Sequence, residues 1–359
     1  MAFQINDEMS PLDISNCSKE SLEVKELISN LSINISNLLI ENYYDFVKIN
    51  LARNGNEFSV WMIYGLDELY EDDDNMEEIT IGDAVFDHSE EEMNNLILYH
   101  ENRFVGALAV LKYLFEIFTG SILDANFLTG TPPTQDISNF LVDVFHCEKV
   151  QQCEKVMIFQ NGISSKTMVD QILDLANGLK SLDFRCPLPD DWSNPKILKL
   201  DKLVSWPSEW FTTSDLLTKL DCECAQLNET NLDCRAFKAF MLKWKMLDNT
   251  RLKMLEISFD GDWTLFNYDG LDAKKWNPEE RDGHYPDLLG KPGAQWLNCE
   301  FVMDIQRDDG MLASFWRREQ SFHFVVWHDR HPIATLQPDP DLLLKLEEID
   351  FASDEDDDE

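Results

Sequence analysis

The chain has 359 residues, 44% hydrophobic and 11% aromatic, enough for sizeable cores in two or three domains and too apolar for general disorder. Lys and Arg number 30 against 68 Asp and Glu, giving a formal net charge of −38. A surface this acidic repels phosphate backbones and anionic lipid heads, so the expected partners include no nucleic acid and no membrane, while a basic protein is compatible.

The N-terminus, MAFQINDEMS, has no basic region followed by an apolar run, so no signal peptide is expected. Residues 11–29 carry Leu22, Val24, Leu27 and Ile28 at helical spacing. Residues 45–64 predict a β-hairpin: Phe46, Ile49 and Leu51 lead to Asn54-Gly55, and Phe58, Val60 and Met62 come after it. The run 67–78 (DELYEDDDNMEE) reads as an acidic loop, succeeded by a short strand from Ile79 to Ile81. A helix is predicted over 90–119, with Ser89 and Glu92 as a capping box and Gly120 as the stop. Its inward face would carry Leu96, Tyr99, Leu108, Leu111, Phe115 and Phe118. The most apolar window, 104–123, is broken by Gly106, Lys112 and Glu116 and is too polar to span a bilayer. The Gly-, Pro- and Thr-rich stretch 126–137 is the candidate boundary between a small N-terminal section and the larger C-terminal part of the chain.

From about 139 a strand–helix grammar sets in. Strands are predicted at 156–159, 182–184, 197–200, 220–224 and 255–259. Helices are predicted at 165–177, capped by Ser164 or Ser165 and stopped by Gly178, and at 232–247. The intervals are irregular, so the pattern is a degenerate leucine-rich solenoid: strand–helix units that each bury one face against the next. Residues 260–298 are rich in Asp, Gly, Pro and Trp and read as long loops. An antiparallel meander comes next, through Phe301–Ile305, Met311–Trp316 and Phe322–His328, with Asp309-Gly310 as a turn. A short helix at 340–346 and an acidic tail, 353–359, end the chain, with Ser353 as a candidate site for an acidophilic kinase.

Catalytic signatures are sparse. The sequence has no G-x-G-x-x-G, no G-x-x-x-x-G-K-[ST], no G-x-S-x-G and no H-E-x-x-H. His328 and His331 stand three apart at a strand end with no acidic or Cys cluster at ligand spacing, so no metal is expected. Asp260-Gly261-Asp262 opens like a calcium loop, but Leu271 stands where the closing Glu belongs. The eight cysteines, Cys222-x-Cys224 included, have no framework spacing and read as buried thiols of a reducing compartment, cytosol or nucleus. The chain is expected to be a non-enzyme with no cofactor. Trp206, Trp210, Trp263 and Trp276 lie in turns and loops, where large aromatics are either pinned into the core or left out as binding anchors.

Two stretches carry a resemblance. The order Leu220, Leu232, Phe240, Leu242-Lys243-Trp244, Asn249, Arg251-Leu252, Leu255 and Ile257, followed by DIQRDDGMLASFW and FHFVVWH from Asp304 to His328, resembles the nematode F-box-associated (type 2) domain. It covers about residues 139–330. Residues 9–25 (MSPLDISNCSKESLEVK) are similar to the second half of an F-box, with the usual first helix missing from the sequence as it stands.

The resemblance implies a substrate-recognition subunit of a cullin-type ubiquitin ligase. Pro11, Leu12, Ile14, Cys17, Ser18 and Lys19 would face a Skp-type adaptor. A client protein would meet the loop side around Trp206, Trp210, Trp263 and Trp276. With only half the module present, either the remnant still docks, or only the recognition domain works and the chain is a stand-alone intracellular binding module. The expected architecture is α/β to α+β: F-box-like helices at 1–30, a small α+β section at 31–125, a leucine-rich-like recognition domain at 139–330 closed by the meander, and a tail at 340–359.

Overall fold

The computed structural model describes residues 9, 11–20, 22–31, 33–53, 57–66, 76–92, 95–246, 249–261, 263, 266–290, 296–300, 302–318 and 320–328. The Asn54-Gly55 turn, most of the acidic run, Asp262, His331, the predicted helix 340–346 and the tail with Ser353 lie outside the described residues.

Two short helices open the fold, α1 (Pro11–Glu20) and α2 (Leu22–Ser29). Pro11 takes the first helical position, where its missing N–H costs nothing. Next come β1 (Ile35–Asn42), β2 (Phe46–Arg53) and β3 (Glu57–Gly65). β2 and β3 form the predicted hairpin, with Ile49 opposite Trp61 and both fully buried. After them stand β4 (Glu77–Ile81), β5 (Ala84–Glu92), β6 (Asn95–His100) and α3 (Arg103–Ile117).

The helix predicted over 90–119 is corrected in its first half. Leu96 and Leu98 alternate into the core as strand residues, and the cap is Asn102, whose side chain accepts from the N–H groups of Phe104 and Val105. Ser89 is part of β5. Period-two burial overrode a capping-box pattern. The helix ends at Ile117 with Phe118 as its cap, short of the expected stop at Gly120, and Gly120 instead makes room for the chain at Ile33, whose carbonyl oxygen a Cβ there would approach to 2.6 Å.

The middle of the chain alternates strand and helix. In order come β7 (Ile122–Thr129), α4 (Gln135–Phe145), α5 (Glu148–Gln151), β8 (Lys155–Gln160), α6 (Lys166–Leu175), β9 (Ser181–Arg185), a 3-10 turn (Ile197–Lys199), β10 (Lys202–Ser205), α7 (Thr213–Thr218), β11 (Cys224–Thr230), α8 (Cys234–Lys245) and β12 (Met254–Phe259). Two predicted strands are displaced. Residues 197–200 are the 3-10 turn and the strand starts at Lys202; residues 220–223 are connection and the strand starts at Cys224. The Asp221 N–H donates to the Leu198 carbonyl and the Cys222 thiol to that of Ile197, so these leucine-bearing segments fasten neighbouring units below the sheet.

The helix caps obey the expected chemistry. Ser165 accepts from the Met168 N–H and Asp233 from that of Ala236. Thr212 and Asp215 form a reciprocal box at α7. Burial opposes the charge of Asp215, but bonds from Lys219 and Thr212 outweigh it and hold the carboxyl below its ordinary range. A depressed folded-state pKa contributes stability above the unfolded value, which is lost as pH falls through the folded one. Asp215→Asn is therefore expected to cost about 1 kcal/mol at neutral pH. The gap to the parent should close in acid, which urea titrations across the pH range will check.

The last section supplies β13 (Lys274–Lys275), β14 (His284–Pro286), β15 (Trp296–Asn298), β16 (Met303–Gln306), β17 (Leu312–Arg318) and β18 (Ser321–Trp327). The meander is present, and β18 lies antiparallel against β12. Among the described residues one sheet has the order β13-β16-β17-β18-β12-β11-β10-β9-β8-β7-β1-β2-β3-β6-β5-β4, and β14 pairs with β15 separately. From β12 to β1 its neighbours run parallel. This is a mixed α/β fold. The candidate boundary at 126–137 falls on β7 and the start of α4, and the sheet passes through it unbroken, since β1 pairs with β7. One apolar cluster runs from Leu12 to Val326.

The helices cover one face. Leu38, Phe127, Ile158, Phe184, Leu227 and Ile257 point into that layer and are at most 2% exposed. Burying each such side chain contributes about 1.5–3 kcal/mol. No helix among the described residues is long and apolar enough to cross a membrane.

Candidate functional site

Strand residues alternate between faces, so the partners of those core residues stand on the side without helices. The register aligns them in rows. Asp124, Lys155, Ser181 and Lys202 are neighbours across β7 to β10, and Asn126, Met157, Asp183, Val204, Gln226 and Glu256 form the next row. A third row pairs Phe159 with Arg185 and continues to Trp206, whose N–H donates to the Phe184 carbonyl. Phe159 is 42% and Trp206 49% exposed. All of these row residues but Phe159 and Glu256 line a trough of about 800 Å³.

The loop-rich section folds over the neighbouring part of this face. Tyr285 and Leu289 pack with Val204, Cys224, Met254, Val325 and Trp327 in a second apolar cluster. The Tyr285 hydroxyl reaches the carbonyls of Lys253 and Val326 at 3.1 and 3.2 Å. Beneath it Arg281 and Asp304 form an ion pair with both side chains under 5% exposed. Lys202 Nζ donates to the Leu289 carbonyl and ties this cover to the trough.

Most charges in the trough are matched. Asp124 lies 3.3 Å from Lys155. Arg185 grips Asp183 through two bonds of 2.9 and 2.8 Å, and Phe159 is its neighbour across the strands. The hydrogen bond to Asp183 is also the main reason its pKa lies above the ordinary arginine value. An aromatic–arginine–aromatic row is the composition that dominates binding energy at protein interfaces.

Further along the same face, Ser321 Oγ lies 2.9 Å from His323 Nε2, and His323 Nδ1 lies 3.6 Å from Glu256. The order suggests a hydrolytic triad, but the serine hydroxyl also lies 2.9 Å from the Arg318 carbonyl, to which it can only donate. Its proton is thus committed away from the imidazole, the reverse of general-base activation. Trp316 stacks flat on His323 at 4.8 Å and covers the ring.

The expected site residues are scattered. Of the tryptophans, Trp206 is on the open face. Trp210 as a client anchor is corrected: it is 1% exposed, donates to Ser205 Oγ and meets Trp192 edge-on at 4.9 Å. Trp263 packs against Phe237 and Phe259 on the helical side, and Trp276 is half-buried with its backbone N–H donating to the Val302 carbonyl. The adaptor-facing assignment is corrected for four of its six residues. Pro11, Leu12, Ile14 and Ser18 are buried against their own chain. The Leu12 N–H donates to Ser59 Oγ, and the Ser18 hydroxyl lies 2.8 Å from that of Tyr113. Cys17 and Lys19 are half-buried, Lys19 donating to Asn16.

Burial pushes the thiols of Cys153, Cys186, Cys222 and Cys299 up to about 12 and that of Cys224 up to about 11, so they are neutral and unlike metal thiolates. His328 Nε2 contacts the Leu252 carbonyl, and the described residues hold no cluster able to bind a metal. The motif residues Asn249 and Arg251 stitch units together. Asn249 bonds the Leu220 carbonyl and the Leu252 N–H; Arg251 reaches the Lys199 and Asp221 carbonyls and Asp201. Trp244 carries the Arg307 guanidinium 5.0 Å from its ring. Phe159 and Arg185 escape a reading of the sequence, because only alternation on a buried strand, set against the register of its neighbours, marks them as outward.

Two curated proteins of Caenorhabditis elegans are similar to the chain, "Uncharacterized protein F59B2.9" and "Uncharacterized protein F59B2.8". The first is 23% identical over 335 residues, covering 90% of this chain and 76% of the relative. The second is 24% identical over 339 residues, covering 89% and 73%. No described protein family and no solved structure matches the chain.

Proposed function

We propose that the chain is a non-covalent protein-recognition module, acting without cofactor, and that its partner binds the helix-free face of the sheet. The observation that carries this reading is the exposed row Phe159, Arg185 and Trp206 beside a polar trough, on strands that succeed one another in sequence order like a degenerate leucine-rich solenoid. The sheet supplies a rigid platform, and the bidentate Asp183 contact fixes Arg185 in advance, which lowers the entropic cost of binding. The net charge of −38 disfavours nucleic acid and anionic membrane as partners. The buried, neutral thiols of Cys153, Cys186, Cys222, Cys224 and Cys299 fit a reducing compartment, cytoplasm or nucleus.

Trp206→Ala combined with Phe159→Ala is expected to change stability by no more than about 0.5 kcal/mol, because both side chains are exposed. The same pair should abolish affinity capture of whatever protein the parent chain retains. Unchanged capture of the same partner would sink the reading.

The second reading, a cullin-ligase substrate subunit, is favoured by the helix pair α1–α2, which coincides with the half F-box resemblance. It requires adaptor docking on residues that pack inward. Calorimetric titration with purified Skp-type adaptor is expected to give no heat. A dissociation constant at or below about 1 μM, or −8.2 kcal/mol, would restore the ligase reading.

A further inference from the structure

A second surface lies at the other end of the molecule. A cleft of about 810 Å³ runs between the β4–β5 hairpin and the outer side of α3. Its apolar floor is Val85 on the hairpin, 52% exposed, with Val105 on α3, 55% exposed, and the half-buried Leu108 and Ala109. Val105, Leu108, Ala109, Lys112 and Glu116 recur every three or four residues, so they form one stripe along about three turns of helix. Its far end meets α2, where Lys25 pairs with Glu116, while Val105 at its near end is exposed.

The rim is acidic. Glu78, Asp83, Asp87, Glu101 and Glu116 line the cleft against Lys25 and Lys112. Lys25 is already committed: its ammonium lies 2.6 Å from Glu116 and 4.8 Å from the Tyr113 ring centre. Among the described residues Glu78, Asp83, Asp87 and Glu101 make no ion pair. Some carboxylates elsewhere take a nearby cation, as Asp183 takes Arg185, Asp272 takes Lys245 and Glu223 takes Lys253. Here an exposed apolar stripe is ringed by carboxylates without a described cation of their own.

The geometry points to this cleft as the docking site of a basic amphipathic helix from a partner protein, lying along α3. Its apolar side would cover Val85, Val105 and Leu108, and its Lys and Arg side chains would reach Glu78, Asp83, Asp87 and Glu101. Helices pack side by side at about 8–10 Å, which suits the open flank of α3. A net negative lining, five carboxylates against Lys25 and Lys112, raises the local concentration of cationic ligand and speeds its arrival, an effect that salt weakens. This inference is independent of the open sheet face.

The test uses the full chain and a fluorescein-labelled peptide of Leu-Lys-Lys-Leu-Leu-Lys-Leu heptads, read by fluorescence anisotropy. A scrambled peptide of the same composition controls for charge. Val105→Asp separates docking from bulk attraction, because it adds negative charge while spoiling the apolar floor, and it places an acid in the first turn of α3 where the helix tolerates it. The cleft predicts weakening of about fivefold or more for Val105→Asp and about tenfold for Glu78→Lys with Glu101→Lys. The same charge change at exposed Asp190→Lys with Glu209→Lys should alter affinity by less than about twofold. Tighter or unchanged binding by Val105→Asp, equal losses from the two Lys pairs, or equal binding of the scrambled peptide would each overturn the proposal.

Discussion

Asp304→Ala is expected to cost about 3–5 kcal/mol of folding stability, read as a shift of the urea midpoint at constant slope. Asp304 accepts bonds from Arg281 Nε and Nη2 at 3.0 and 2.8 Å and from the Ser314 hydroxyl at 2.7 Å. Arg281 also donates to the Cys299 and Asp282 carbonyls and lies 4.9 Å from the Trp327 ring centre, while the Trp327 N–H donates to Ser314. Removing the carboxylate strands a guanidinium only 2% exposed, and that uncompensated charge is the source of the cost. Replacing both partners by apolar residues, Arg281→Met with Asp304→Leu, should cost clearly less than Asp304→Ala alone. This hub sits where the loop-rich section joins the meander, so its loss should first loosen the cover formed by Tyr285 and Leu289 over the open sheet face.

Ile14→Ala is expected to destabilise the chain by about 2–5 kcal/mol, by lost transfer energy and the cavity left behind. Ile14 is fully buried, and α1 packs on β2, β3 and α3. The adaptor-facing assignment implies the opposite outcome, near-neutral stability with impaired adaptor binding. Chemical denaturation of this one variant therefore weighs the two assignments against each other.

Much of the fold was legible locally. The hairpin through Ile49 and Trp61, the cap at Ser165 and the meander all rest on patterns of a few residues. The failures came where short-range signals compete. At 90–100 a capping-box pattern coincided with strand alternation, and the alternation of Leu96 and Leu98 prevailed because both bury fully. At 197–200 and 220–223 leucine and isoleucine suggested strands, but they plug the connections below the sheet while β10 and β11 begin later.

The surface was harder to read because it depends on register between strands far apart in sequence. Phe159, Arg185 and Trp206 become one row only through the pairing of β8, β9 and β10. Trp206 and Trp210 stand four residues apart in the same short turn, yet one is half exposed and the other sealed against Trp192. Nothing local distinguishes them. The resemblance motifs behave similarly. Asn249, Arg251 and Trp244 are explained by stitching and packing within this chain, so their presence speaks for the architecture more than for a ligase role.

The central claim is that partners meet the helix-free sheet face. The most direct measurement places a photo-crosslinking benzoylphenylalanine at position 206, and in a parallel variant at the 74% exposed Met246 beyond α8, each in the full chain inside cells. The account predicts a discrete crosslinked protein adduct from position 206 and none from position 246. An adduct from 246 alone, or the same adducts from both, would contradict it.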